Sequence, residues 1–288
     1  MKWIMVVALA FLVVGCSKAG KKPSARAIYD QAPIAEACLL AAGDAAAFET
    51  FKRDPYLNLL WENATEEEGR IAFERIQRQY PFLVEKFSRF QTSDGVGMPR
   101  VFSYGDGVAF SPYTLRLMSI AGDIQTRVGD LGGKKIVQIG AGYGGLCKVL
   151  HDLHEWDEYV IIDLPEQLAL ARKYLEALGV HNVEYVSVCD LGEFSKRGTC
   201  DFVISDHSFS EFDRPYQERL LSEVFPHTRG GYILGHVFPK HFGVSALDVE
   251  TIEKKLKKNV VFDELNVKVP DNDRGEYSIF YRRIQKIT

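Results

Sequence analysis

Ile136-Val137-Gln138-Ile139-Gly140-Ala141-Gly142-Tyr143-Gly144-Gly145-Leu146 is the stretch on which the reading of the fold turns. Its first residues are apolar and mostly β-branched, the signature of a buried strand. The glycines end that strand in a tight turn, where a missing Cβ permits left-handed backbone and close approach by another group. A helical pattern begins at Gly145, so the turn opens onto helix N–H groups that favour a polar or anionic ligand.

Downstream the chain alternates regularly. Strand Lys135–Ile139 precedes helix Gly145–Leu153, and strand Tyr159–Ile162 precedes a helix opened by Pro165 and stopped at Gly179. Strands at Glu184–Val188, Phe202–Ser205 and Tyr232–Leu234 follow, with a helix from about Arg214 between the last two. Ser245 is the expected cap of a further helix with Val249, Ile252 and Leu256 on one face. Strands Val261–Val269 and Tyr277–Arg283 close the chain around a turn at 270–275. Apolar strands alternating with helices predict a doubly wound, mostly parallel, seven-stranded α/β sheet covered on both faces. The last two strands lack an intervening helix and must pair as an antiparallel hairpin.

Upstream, residues 26–110 read as a helical extension preceding a domain over 111–288. Ile34–Phe48 is alanine-rich and favours helix. Ala72, Phe73, Ile76 and Tyr80 share a helical face, and Glu66-Glu67-Glu68 suit its first turn. Residues 91–110 are glycine-rich, a loop or small hairpin. Ser111-Pro112 then opens a helix ending near Gly129. Within residues 1–16, the apolar run Trp3–Val14 has the length of a signal-peptide core, too short to span a bilayer comfortably. Val13-Val14-Gly15-Cys16 resembles a lipobox, with 17–25 as a polar tether. This predicts a membrane-associated lipoprotein held by a lipid on Cys16; without processing, the protein is cytoplasmic. Radiolabelled palmitate should enter the full chain, and Cys16→Ala should abolish labelling; undiminished labelling would remove the tether. Cys147, Cys189 and Cys200 read as small buried hydrophobes.

The 288 residues are 46% hydrophobic and 26% charged, ordinary globular composition. A net charge of −4 gives no global reason to expect nucleic-acid binding. Ligands of doubly wound sheets lie at the carboxyl ends of the strands. The first end fits two templates. Gly140-x-Gly142-x-x-Gly145 is the dinucleotide fingerprint, while Gly140-x-Gly142-x-Gly144 is the nucleoside loop of S-adenosylmethionine enzymes. The second end carries Asp163-Leu164, about twenty residues on, where a planar acceptor-only carboxylate suits a ribose diol. The third carries Asp190-Leu191, placed for the adenine amino group and ring. The fourth, Ser205-Asp206-His207-Ser208-Phe209-Ser210-Glu211, gathers acids, a histidine and hydroxyls. The closing hairpin favours the S-adenosylmethionine template, since a dehydrogenase would continue with another βαβ set or a substrate domain.

Val137–Leu146, Ile162–Pro165 and Val203–Glu211 together resemble the bacterial sugar O-methyltransferase family, and Ser111-Pro112-x-x-Leu115-Arg116 is similar too. The likeness runs from about Phe102 to Arg283. It implies a class I fold, S-adenosylmethionine as cofactor, and methyl transfer to a hydroxyl of a small-molecule sugar or glycan precursor. Asp206 stands where the family usually has an amide. The cofactor residues are then Gly140, Gly142, Tyr143, Gly144, Asp163, Leu164, Asp190 and Leu191, with Arg116, helped by Tyr113, reaching the methionine carboxylate through its bidentate fork. A sugar hydroxyl needs a base within hydrogen-bond reach. His207 is the first candidate, Glu211 the second and Asp206 the third, with His236 and His241 as further pocket residues. No metal is expected, since the spacing of Asp206, His207 and Asp213 is not diagnostic. Two other readings stand beside this one: an NAD(P)-dependent oxidoreductase, and a non-catalytic lipoprotein retaining the fold.

Overall fold

The computed structural model describes residues 32–105, 107–192, 194–236, 245–257, 260–268 and 276–283. The lipobox-like segment, His241 and the turn at 270–275 lie outside them. The sheet contains β3 (Lys135–Ile139), β4 (Glu158–Asp163), β5 (Val183–Ser187), β6 (Phe202–Asp206), β7 (Gly230–His236), β8 (Val260–Lys268) and β9 (Glu276–Arg283), while β1 (Phe102–Ser103) and β2 (Ala109–Phe110) form the small upstream hairpin. Spatial order in the large sheet is β5-β4-β3-β6-β7-β9-β8. Its first five members run parallel, and β9 pairs antiparallel with both β7 and β8.

This order positions the site. From β3 the chain winds outward through β4 to β5, then returns across β3 to place β6 on its other side. The switch point therefore lies between β3 and β6, the place where doubly wound sheets take their ligands, in the crevice at the carboxyl ends. Ile139 is paired with Ser205 there, so the glycine turn after β3 and Asp206-His207 at the end of β6 emerge side by side.

The helices are α1 (Ala32–Gly43), α2 (Ala45–Glu49), α3 (Glu66–Gln79), α4 (Pro112–Val128), α5 (Gly145–Leu153), α6 (Pro165–Ala177), α7 (Arg214–Glu223) and α8 (Val249–Leu256), with several single turns between them. In the extension, α1 packs on α6 and α3 on α4. The single helix expected over 34–48 is broken after Gly43, because Asp44 caps a new one by accepting from Ala47 N at 2.7 Å. The acidic run does begin α3, in a box where Thr65 and Glu68 satisfy each other's backbone amides. Residues 51–62 and 81–95 turn in 3-10, α and π segments rather than one regular helix. Ser111 caps α4 through Thr114 N, as expected.

Two expectations are corrected. Asp248, not Ser245, caps α8, because its carboxylate accepts from Thr251 N at 2.7 Å while the Ser245 amide is drawn to Asp213 Oδ1 at 3.0 Å. Cys189 is exposed, in the turn that follows the edge strand β5; Cys147 and Cys200 are buried. Among the described residues no helix is long and apolar enough to cross a membrane.

Candidate active site

The glycine turn is held from three sides. Gly140, Gly142 and Gly144 have φ of +87°, +51° and +96°, backbone that L side chains adopt only with strain. Below it, buried Gln138 donates to Gly140 O at 2.6 Å and accepts from Tyr159 OH at 2.6 Å, which explains a polar residue in a core strand. Beside it, Asp163 accepts from Ala141 N at 2.7 Å and from Leu164 N at 2.8 Å. This acid, expected at a ribose, also braces the turn, and it is 1% exposed. On the third side stands Ser208: a Cβ on Gly140 would fall 1.9 Å from its Oγ.

Tyr143 points away from the crevice into the extension. Its hydroxyl donates to Glu62 Oε1 at 2.9 Å, and its ring packs against Tyr174, Phe51 and Trp61. Burial raises its phenol well above the ordinary value. Glu62 Oε2 accepts from Ser111 OH at 3.0 Å, so one buried carboxylate ties the glycine turn to the cap of α4. Burial also raises the Glu62 carboxyl and lowers the neighbouring Lys52 ammonium, while their mutual attraction opposes both shifts.

At the third strand end Leu191 is buried and Asp190 exposed. Val188 N donates to Asp163 O, which sets this turn next to the second end. The Asp190 amide bonds Ser187 O, a turn contact that leaves its carboxylate toward solvent.

The fourth end is a polar cluster. Asp206 takes a bidentate fork from Arg116, with Nη2–Oδ1 of 2.6 Å and Nη1–Oδ2 of 2.8 Å, so the arginine proposed for the methionine carboxylate is engaged by Asp206. Burial alone would raise the Asp206 carboxyl. The Arg116 charge and the His207 hydrogen bond outweigh it and hold the group well below the carboxylate range. His207 Nδ1 lies 2.7 Å from Asp206 Oδ1 and 3.0 Å from Arg116 Nη2. With an ionised carboxylate beside it, Nδ1 carries the proton and donates, leaving Nε2 as the lone-pair nitrogen. His207 holds φ +63° and ψ −35°, a backbone state costing about 1–3 kcal/mol for a non-glycine residue and concentrated at functional sites. Its ring lies 4.2 Å from that of His236, whose Nε2 is 3.3 Å from Glu211 Oε1. Ser210 Oγ donates to His207 O and accepts from His236 N, locking the two loops together. Asp213 lies apart, bound to Ser245 N.

The structure thus brings Arg116, Asp206, His207, Glu211 and His236 together. Sequence reasoning missed Trp61, Glu62 and Gln138, and placed Ser208 in the fourth-end cluster without its contact to Gly140. Gln138 had a visible signal, a polar residue inside an apolar run beside a motif; Trp61 and Glu62 had none.

These residues fit an adenosine-methionine ligand: a Cβ-free turn with positive φ, a buried acid at the next strand end, and a neighbouring apolar residue for a ring. Residues 136–231 match the family model described as a methyltransferase domain. A protein-L-isoaspartate O-methyltransferase from Pyrococcus horikoshii is 23% identical over 159 residues, 53% of this chain and 68% of that protein. Among solved structures, a candidate sarcosine dimethylglycine methyltransferase from Galdieria sulphuraria aligns with a TM-score of 0.50 at 13% identity, over 61% of this chain and 88% of its own. The N-methyltransferase NodS from Bradyrhizobium japonicum, solved with S-adenosyl-L-homocysteine, aligns with a TM-score of 0.48 at 13% identity, over 69% and 99%. Residues 136–231 thus match a methyltransferase domain, on a Rossmann-like α/β sheet, and S-adenosylmethionine is the cofactor. The matched domain decides between the two templates for the glycines, in favour of the nucleoside loop.

Proposed function

We propose that this protein transfers a methyl group from S-adenosylmethionine to a hydroxyl of a sugar or glycan precursor, with His207 as the base. The observation that carries this reading is the Asp206–His207 pair at the mouth of the switch-point crevice, one residue from the side chain that touches Gly140. The cofactor supplies an electrophilic methyl group. Everything else falls to the chain. The glycine turn and Asp163 hold the nucleoside. Asp206 fixes the tautomer of His207, so that Nε2 takes the proton of the acceptor hydroxyl. An oxygen acceptor of this kind is favoured because a neutral hydroxyl must lose its proton as it attacks, whereas a carboxylate attacks without losing one. Arg116, Glu211 and His236 surround that position with donors and acceptors, which suits a polyhydroxylated acceptor better than an apolar one. The tether through Cys16 belongs to the same proposal and would hold this chemistry at a membrane surface.

Calorimetric titration should show binding of S-adenosylmethionine and S-adenosylhomocysteine and none of NAD. Tritiated-methyl transfer should then be measured to sugars, a nucleotide sugar, an isoaspartyl peptide and a primary amine. Label in the sugar pool alone is the expected result. Label in the peptide or the amine would sink the sugar assignment.

A further inference from the structure

The turn Asn58–Glu62, a π-helical segment of the extension, lies directly over the glycine turn. A Cβ on Gly142 would come 3.3 Å from Trp61 Nε1, 3.5 Å from Cε2 and 3.8 Å from Cδ1, so the N–H edge of the indole borders the loop backbone. Trp61 Nε1 has no acceptor among the described residues. The indole is only partly buried and meets the Tyr143 ring edge-on at 5.5 Å. The next residue, Glu62, holds the Tyr143 hydroxyl and is 5% exposed. Thus two adjacent residues reach the same turn, Trp61 at Gly142 and Glu62 through the Tyr143 hydroxyl. Single π turns inside helices recur at functional sites because they redirect successive side chains.

We propose that the extension is a wall of the cofactor site: Trp61 presents its indole N–H to the carboxylate end of the cofactor, and Glu62 is the positioning residue that fixes the turn through Tyr143. The engaged state of Arg116 supports this. Its fork is taken by Asp206, while the Trp61 N–H beside Gly142 is an indole donor without an acceptor among the described residues. An indole N–H donates only, which suits an anionic group. Glu62 reaches the glycine turn through the Tyr143 hydroxyl, while its other oxygen holds Ser111 at the cap of α4. The inference rests on the cofactor assignment and not on the identity of the acceptor.

The test is intrinsic fluorescence of the full chain during titration with S-adenosylhomocysteine. Wild type should show a saturable change in emission. Trp61→Phe should lose that change, with Trp156 still emitting, and bind about tenfold more weakly by calorimetry, the factor that about 1.4 kcal/mol represents. Tyr143→Phe deletes only the hydroxyl that Glu62 holds. It should weaken binding by a similar factor while its far-ultraviolet circular dichroism stays that of wild type. Glu62→Gln keeps an acceptor for Tyr143 and should bind more nearly as wild type does. Wild-type affinity in Trp61→Phe or in Tyr143→Phe would overturn the corresponding role, and tighter binding in Trp61→Phe would mean that the indole obstructs the site. If wild type itself binds no S-adenosylhomocysteine, the cofactor assignment fails and this inference with it.

Discussion

Gly140→Ala is expected to cost about 2–5 kcal/mol of stability and to reduce S-adenosylhomocysteine binding below detection. Two separate penalties act at this position. The backbone is at φ +87°, where a Cβ costs roughly 1–2 kcal/mol. The new methyl would also lie 1.9 Å from Ser208 Oγ and 2.1 Å from Ser208 Cβ, an overpacking of the kind that costs about 1–3 kcal/mol. Relief requires moving either the turn or the start of the Ser208–Glu211 helix. The first movement breaks the Gln138 and Asp163 bonds to the turn; the second displaces His207. Thermal unfolding should show a midpoint roughly 10 °C lower. Ser208→Gly removes the obstructing side chain, so the double variant Gly140→Ala/Ser208→Gly should regain part of the loss and leave the φ penalty. A Gly140→Ala protein with wild-type melting and wild-type affinity would show that the turn is not packed against Ser208 as described.

His207→Asn is expected to lower methyl transfer by about 10²–10⁴-fold, the range that general-base removal costs, while leaving cofactor affinity and melting nearly unchanged. Asparagine tolerates positive φ better than most residues, so the strained +63° backbone is not the variable. Its side-chain amide can still donate to Asp206, which keeps the carboxylate partnered between Arg116 and residue 207. What asparagine lacks is a nitrogen lone pair that takes a proton near neutral pH. Single-turnover transfer to the sugar identified by the acceptor panel separates the outcomes. Unaltered turnover would move the base role to Glu211 or remove the need for one. A parallel loss of affinity would assign His207 to binding instead.

Much of the fold was legible along the chain, because strand and helix periodicity are local properties. β3, α5 and the proline-opened α6 appear within a residue or two of where apolar patterning sets them. The hairpin closing the sheet followed from a missing helix, a topological argument that needs no coordinates. The extension was less legible. Its helices break wherever a short polar side chain offers the backbone a better partner, as Asp44 does, and such competition is decided by what packs around it. The capping of α8 by Asp248 rather than Ser245 turned on Asp213, thirty-two residues away, which claims the Ser245 amide.

The sequence by itself determined the glycine turn, the acids at the strand ends and the cluster Asp206–Glu211, because each follows a strand whose end is a local signal. Only the tertiary structure decided how those ends face one another. Pairing of β6 against β3 puts Ser208 on Gly140 and His207 beside the crevice. Long-range packing gives Arg116 to Asp206 and the Tyr143 hydroxyl to Glu62, across separations of 90 and 81 residues. The physical reason is that a buried charge or hydroxyl must find a partner wherever the fold brings one within hydrogen-bond reach, and no pattern along the chain records which partner that is.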